Sequence, residues 1–206
     1  MASSAKNQAT VALTTLFPAQ EITMAYATLT TPAPHASAPT LPPLFQPVLV
    51  ALPAVLALDL GSTTGWALRG RDDHITSGTI VHRNDRWQGG GMRFLRFRQW
   101  LTEMKHVSGG IDAVVYEEVR NHAGTDAAHL FGGWLAILSA WCEHHGIPYE
   151  GVPVGTIKRF ATGRGNADKA AMVAAMKARG FNPADDNEAD ALAILLWAIE
   201  TRGGLA

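Results

Sequence analysis

The stretch VLALDLGSTTGWAL, residues 55–68, sets an aspartate, Asp59, in the middle of an apolar run and follows it at once with Gly, Ser, Thr, Thr and Gly. Burying a carboxylate without a cation or hydrogen-bond donors costs several kcal/mol, so packing alone does not put one in a strand. Asp59 therefore points to something that needs a negative oxygen. The turn after it is less specific, because a Gly/Ser/Thr turn behind a strand also occurs wherever backbone amides cradle a phosphate.

Working outward from this stretch, VLALDLG reads as a buried strand, TTGWALRG as a second and HITSGTIVH as a third with alternating character, joined by short Gly and Asp turns into an antiparallel meander. A Gly-rich loop, NDRWQGGG, leads into residues 92–107, where Phe94, Leu95, Phe97, Leu101 and Met104 form a helical stripe. IDAVVYEEV is a fourth strand ending in two glutamates. There follow a helix over 125–145, a short strand IPYEGV, a small helix around VGTIKRF and a helix over 167–179. A closing helix begins in NPADDNEAD, where Asp185 and Glu188 stand at capping-box spacing. A meander continued by strand-helix units predicts a mixed five-stranded sheet with helices on both faces, an α/β layered domain over residues 54–206.

Residues 1–53 differ in kind. They carry 8 of the 11 prolines and two charged side chains, Lys6 and Glu21, without periodicity, and are expected to form a disordered, low-complexity leader. No arginine precedes Arg69, and the apolar run VLVALPAVLAL is interrupted by Pro53 and stops at Asp59, well short of the roughly 20 residues that cross a bilayer. No membrane association is expected. The single cysteine, Cys142, excludes an internal disulfide framework and a cysteine-built zinc site, and fits a reducing cytoplasm. A formal net charge of −1 argues against coating nucleic acid through bulk charge.

Three acidic groups stand out: Asp59, the pair Glu117 and Glu118, and Asp186, Glu188 and Asp190 at the start of the last helix. If strands one and four lie side by side, Asp59 meets Glu117, and the closing helix can bring Asp190 over both. Carboxylates so placed repel one another and raise each other's pKa, a conflict that a divalent oxygen-seeking cation removes. Oxygen ligands without His or Cys suit Mg²⁺ or Mn²⁺. For Glu118, Asp185 and Glu188, solvation at a strand end or capping of a helix is a sufficient explanation. Arg93 and Arg96, three apart on the first helix, either track a nucleic-acid backbone or are surface charge. Trp134 and Trp141 belong either to the core or to an interface.

In combination and order, these motifs resemble those of the RuvC-like Holliday junction resolvases of the ribonuclease H-like superfamily, from about residue 55 to residue 199. ALDLGSTTGWAL is similar to the family's first-strand motif, VVYEEV to its fourth-strand motif and EADALAILLWA to its closing helix; GTIKRFATGRGNADKAAM is similar to its basic stretch. The resemblance implies Asp59, Glu117 and Asp190 as catalytic metal ligands. It also implies Lys169 as a catalytic cation, with Lys158, Arg159 and Arg164 on the DNA. Three residues before the last aspartate the family often has an acid or a histidine, and here stands Asn187. The second metal position thus falls to Asp186, Asn187 or Glu188, with Asp186 preferred because it shares a helix face with Asp190. After the fourth strand the family can present an aromatic residue to the junction. Here RNHAG leaves Arg120 or His122 for that part.

The activity so implied is that of a crossover junction endodeoxyribonuclease, hydrolysing phosphodiesters with two Mg²⁺ ions, which Mn²⁺ replaces, and acting on branched DNA as a homodimer. Two other classes share parts of the pattern. Nucleotide-binding domains of the actin and sugar-kinase group have a similar first-strand phosphate turn but repeat the fold in two copies. A non-catalytic junction-binding protein would keep the fold without needing the acids.

Overall fold

The computed structural model describes residues 52–120 and 124–203. The expectations for the leader before residue 52, and for His122, fall outside these residues. Five strands, β1 (Val55–Asp59), β2 (Thr63–Arg69), β3 (Ile75–Val81), β4 (Ala113–Glu118) and β5 (Tyr149–Pro153), form one sheet in the order β3-β2-β1-β4-β5. β1 is antiparallel to β2 and β2 to β3, whereas β1, β4 and β5 run parallel. The helices are α1 (Met92–Val107), α2 (Thr125–His145), α3 (Val154–Thr162), α4 (Lys169–Ala178) and α5 (Asp186–Arg202). The expected mixed five-stranded sheet flanked by helices is the observed architecture.

The period of two in the strands assigns the faces. Leu56, Leu58, Trp66, Leu68 and Val114 pack on one side with Phe97 and Leu101 of α1 and Trp134, Leu138 and Trp141 of α2. Val55, Ala57, Ala67, Val115 and Val152 point to the other side, against α3, α4 and α5. Helix α5 lies directly on the sheet, and Ala189, Ala191, Leu192, Ala193, Ile194 and Leu195 are all fully buried, which accounts for its apolar character around most of its circumference. Both tryptophans of α2 are core residues. Cys142 is buried beside them, and burial pushes its thiol up to about 12, so it is inert.

Local chemistry sets the helix ends. The chain closes α2 at Gly146, whose φ of 63° is the left-handed conformation that a Cβ disfavours. The helix expected over 167–179 begins two residues later, because the Asp168 side chain accepts from the Ala171 N–H at 2.8 Å and acts as its cap. In α5, Asp185 caps as expected, accepting from the Glu188 N–H at 2.9 Å. The reciprocal half of the box differs: Glu188 accepts from the Ala184 N–H at 2.8 Å and from the Ser77 hydroxyl of β3 at 2.7 Å. Arg96 donates to the Arg83 carbonyl and to Gln88, tying α1 to the preceding loop. Among the described residues, no helix is long and apolar enough to cross a membrane.

Candidate metal centre

Parallel pairing of β1 with β4 sets Leu58 opposite Tyr116, so the next residues, Asp59 at the end of β1 and Glu117 one short of the end of β4, stand side by side. Both continue the alternation of Ala57 and Val115 and face α5. Glu118 continues that of Tyr116 and faces the other way, where it pairs with Arg120 at 3.0 Å. Pleating therefore separates the two adjacent glutamates, as the strand period requires. Asp190, one turn inside α5, comes down over the strand ends, with Asp186 four residues before it on the same helix face.

The electrostatics show that these acids share one space. Asp59 is held well above the usual carboxylate range by burial, then by the charges of Glu117, Asp190 and Asp186, with Lys169 opposing. Burial and Asp190 push Glu117 up to about 7 against the pull of Lys158. Asp190 rises to about 6 through burial and Asp186, against Lys158 and Lys169. No hydrogen-bond donor among the described residues reaches the side chains of Asp59, Glu117 or Asp190. Asp186 is the exception: its ion pair with Lys169 holds its carboxyl below the ordinary value.

Three crowded carboxyls without donors, with a fourth acid already ionised beside them, form a set of hard oxygen ligands, and that chemistry fits a divalent cation such as Mg²⁺ or Mn²⁺. In this conformation no group of three described His, Cys, Asp or Glu side chains closes tightly enough to hold one ion.

The basic residues surround them unequally. Lys158 is half-buried, donates to the Ala167 carbonyl at 2.8 Å and lies close enough to Glu117 and Asp190 to lower both. Lys169 is 80% exposed and, with Ala170, Val173, Ala174, Lys177 and Asp186, lines a shallow groove beside the acids. Arg159 and Arg164 are exposed, and Arg120 is taken up by Glu118. Glu188 is removed from the site, since it is buried and bonded to β3 and to the start of its own helix. Asn187 remains half-buried in the first turn of α5.

A positioning residue that motif reasoning passes over is Gly65. It pairs with Asp59 across β1 and β2. A Cβ built there would stand 1.9 Å from the Asn187 carbonyl oxygen and 2.4 Å from its carbon. Only glycine lets the first turn of α5 settle on the sheet at the level of Asp59. The sequence signal is a glycine inside a strand, TTGWAL.

A sheet of this order, with acids ending its first and fourth strands and a third on the closing helix, defines a ribonuclease H-like fold. Within that class, the chain has the fold of the RuvC resolvases. RuvC from T. thermophilus in complex with a Holliday junction substrate superposes with a TM-score of 0.61 at 22% identity, over 73% of this chain and 96% of that one. Another structure of Thermus thermophilus RuvC gives 0.58 at 22% identity, with the same coverage. The yeast mitochondrial Holliday junction resolvase Ydc2 gives 0.49 at 12% identity over 70% of this chain and 76% of its own, too loose a fit to carry weight. No protein-family model matches the chain, and no curated protein sequence matches it. Likeness at these identities establishes the fold, and the activity has to be argued from the site.

Proposed function

We propose that this chain is a divalent-metal-dependent endonuclease that nicks branched DNA at four-way junctions by hydrolysing phosphodiester bonds. The observation that carries the proposal is the convergence of Asp59, Glu117 and Asp190, all pushed up in pKa and all without donors, on a RuvC-type sheet. Such a set costs stability unless cations bind it. Its position at the open ends of two parallel strands is where an extended phosphate backbone can reach it.

Asp59, which feels the charges of both Glu117 and Asp190, would hold the cations together with those two acids. Asp186 is the first candidate to assist Asp190, and Asn187, a neutral oxygen on the preceding turn, is the second. A divalent cation held by these acids would supply an activated water and charge stabilisation for the departing 3′ oxygen. Lys169, held at the groove by Asp186, offers a cation to the scissile phosphate, and Lys158 to a neighbouring one. Arg159 and Arg164 would extend the cationic surface along the backbone, whereas Arg120 is engaged by Glu118. A junction has two-fold symmetry and two strands to nick, which a homodimer of this chain would match.

A binding-only protein would gain nothing from three mutually repelling acids. The test is Mg²⁺-dependent nicking of a four-way junction alongside linear duplex arms of the same sequence. The proposal expects cleavage near the branch and little in the duplex. Equal cutting of both substrates refutes the junction specificity, and no cutting of either refutes the nuclease.

A further inference from the structure

The loop between β3 and α1 displays Trp87 to solvent with 89% of its surface exposed. Large apolar side chains are seldom presented so completely, and this one is held there by construction. Asp85 and Gln88 close a turn through three contacts: the Gln88 N–H donates to the Asp85 carbonyl at 3.0 Å, the Asp85 N–H to the Gln88 side chain at 3.3 Å, and the Gln88 amide to the Asp85 carboxylate at 2.9 Å. Asn84 donates to the Gly89 carbonyl at 3.2 Å, and Arg96 reaches back from α1 to Arg83 and Gln88. The turn is thus fixed on both sides while the indole between them touches little except Arg86, whose guanidinium carbon lies 5.3 Å from the ring centre.

Charge and position say what such an indole faces. In a chain of net charge −1, the loop itself carries Arg83 and Arg86 against one acid, Asp85, which Arg96 of α1 approaches at 3.9 Å. Built Cβ atoms on Gly89, Gly90 and Gly91 meet nothing within 4 Å, so the backbone beside the indole is open to approach. Both β1 and β3 run antiparallel to β2, and the register aligns Thr79 with Gly65 and Gly65 with Asp59. The chain therefore leaves β3 on the same edge where β1 ends in Asp59, two strand spacings or about 10 Å away.

We infer that Trp87 is a stacking platform for an unpaired base at the branch of the DNA, with Arg86 neutralising the adjoining phosphate. An exposed aromatic ring beside arginines suits single-stranded or unstacked bases, because every base offers a π face, whereas a continuous duplex keeps its bases stacked on each other. This inference rests on the branched-DNA reading above and adds to it the element that would distinguish a branch from a duplex.

The experiment is a binding titration of the full chain in EDTA, so that cleavage plays no part, against a four-way junction carrying 2-aminopurine beside the branch and against a duplex of equal length. Trp87→Ala should weaken junction binding about 5- to 100-fold, the range expected for losing one stacked base. It should abolish the fluorescence change of the 2-aminopurine and leave duplex binding and melting temperature close to wild type. Trp87→Phe should restore most of the affinity, and Arg86→Ala should weaken both substrates. If Trp87→Ala binds the junction as wild type does while the wild type nicks it, the stacking role is wrong and the nuclease reading stands. A Trp87→Ala chain that instead changes from dimer to monomer in sedimentation assigns the indole to an interface between copies and overturns the inference. A wild-type chain that binds no DNA overturns both.

Discussion

Replacing Glu117 by Gln should stabilise the metal-free protein at alkaline pH, although it removes a group central to the site. The Glu117 carboxyl rises from an ordinary 4.5 to about 7, chiefly through burial and then through Asp190. Below about pH 4.5 the carboxyl is protonated in both folded and unfolded chains, and the variant should match the wild type. As pH climbs from there to about 7, the unfolded chain ionises while the folded one resists, so wild-type stability falls and then levels off. The displacement corresponds to about 3 kcal/mol, an upper figure because Glu117 is half-buried and shares its penalty with Asp190. For a domain of this size that is roughly 6 to 12 °C in melting temperature at pH 8. Thermal unfolding in EDTA at half-unit steps from pH 4 to 8.5 measures it. Adding Mg²⁺ at pH 8 should raise the wild-type melting temperature and leave Glu117→Gln almost unmoved. Parallel curves at all pH values, or a variant less stable than wild type at pH 8 in EDTA, would refute the crowding of carboxylates on which the site is argued.

Glu118→Gln should retain most nicking activity while Glu117→Gln loses it, because the pleat turns Glu118 toward Arg120; initial rates on a junction decide, and the opposite order would show the wrong glutamate facing α5. Asp186→Asn should raise the Mg²⁺ concentration for half-maximal cleavage more than Asn187→Ala does, since it removes a full negative charge and frees Lys169, while Asp190→Asn should be inactive throughout; a magnesium titration that shifts only with Asn187→Ala would return the role to that position. Gly65→Ala should cost about 1 to 3 kcal/mol in stability and raise the Mg²⁺ requirement together, because its Cβ would stand 1.9 Å from the Asn187 oxygen and must lift the acid-bearing turn of α5; a denaturant melt and the same titration check both effects.

What the sequence reveals of this site follows the range of the interactions involved. Asp59 betrays itself through apolar neighbours on both sides, and the period of two separates Glu117 from Glu118 once β1 and β4 are taken as neighbours. The Asp185 cap and the shared face of Asp186 and Asp190 are local and equally readable. Contacts between distant segments are not. The Glu188 side chain looks like half of a capping box, yet it is bonded to Ser77, 111 residues away, and to the Ala184 amide in place of the Asp185 one. Gly65 reads as an ordinary strand weakness until the first turn of α5 is found lying on it. The start of α4 moves by two residues because Asp168 takes the cap, a choice that apolar periodicity does not register.

If Asp59 is what would make this domain a metal-dependent nuclease, nicking of a four-way junction by the wild type and by Asp59→Asn over the same range of Mg²⁺ shows it. The substitution removes one ligand charge without adding bulk. The account predicts cleavage by the wild type that requires Mg²⁺ or Mn²⁺, and none by Asp59→Asn at any concentration, with junction binding by the variant undiminished. Cleavage by Asp59→Asn at the wild-type rate in saturating Mg²⁺, or a wild type that leaves the junction intact with either ion, would contradict it.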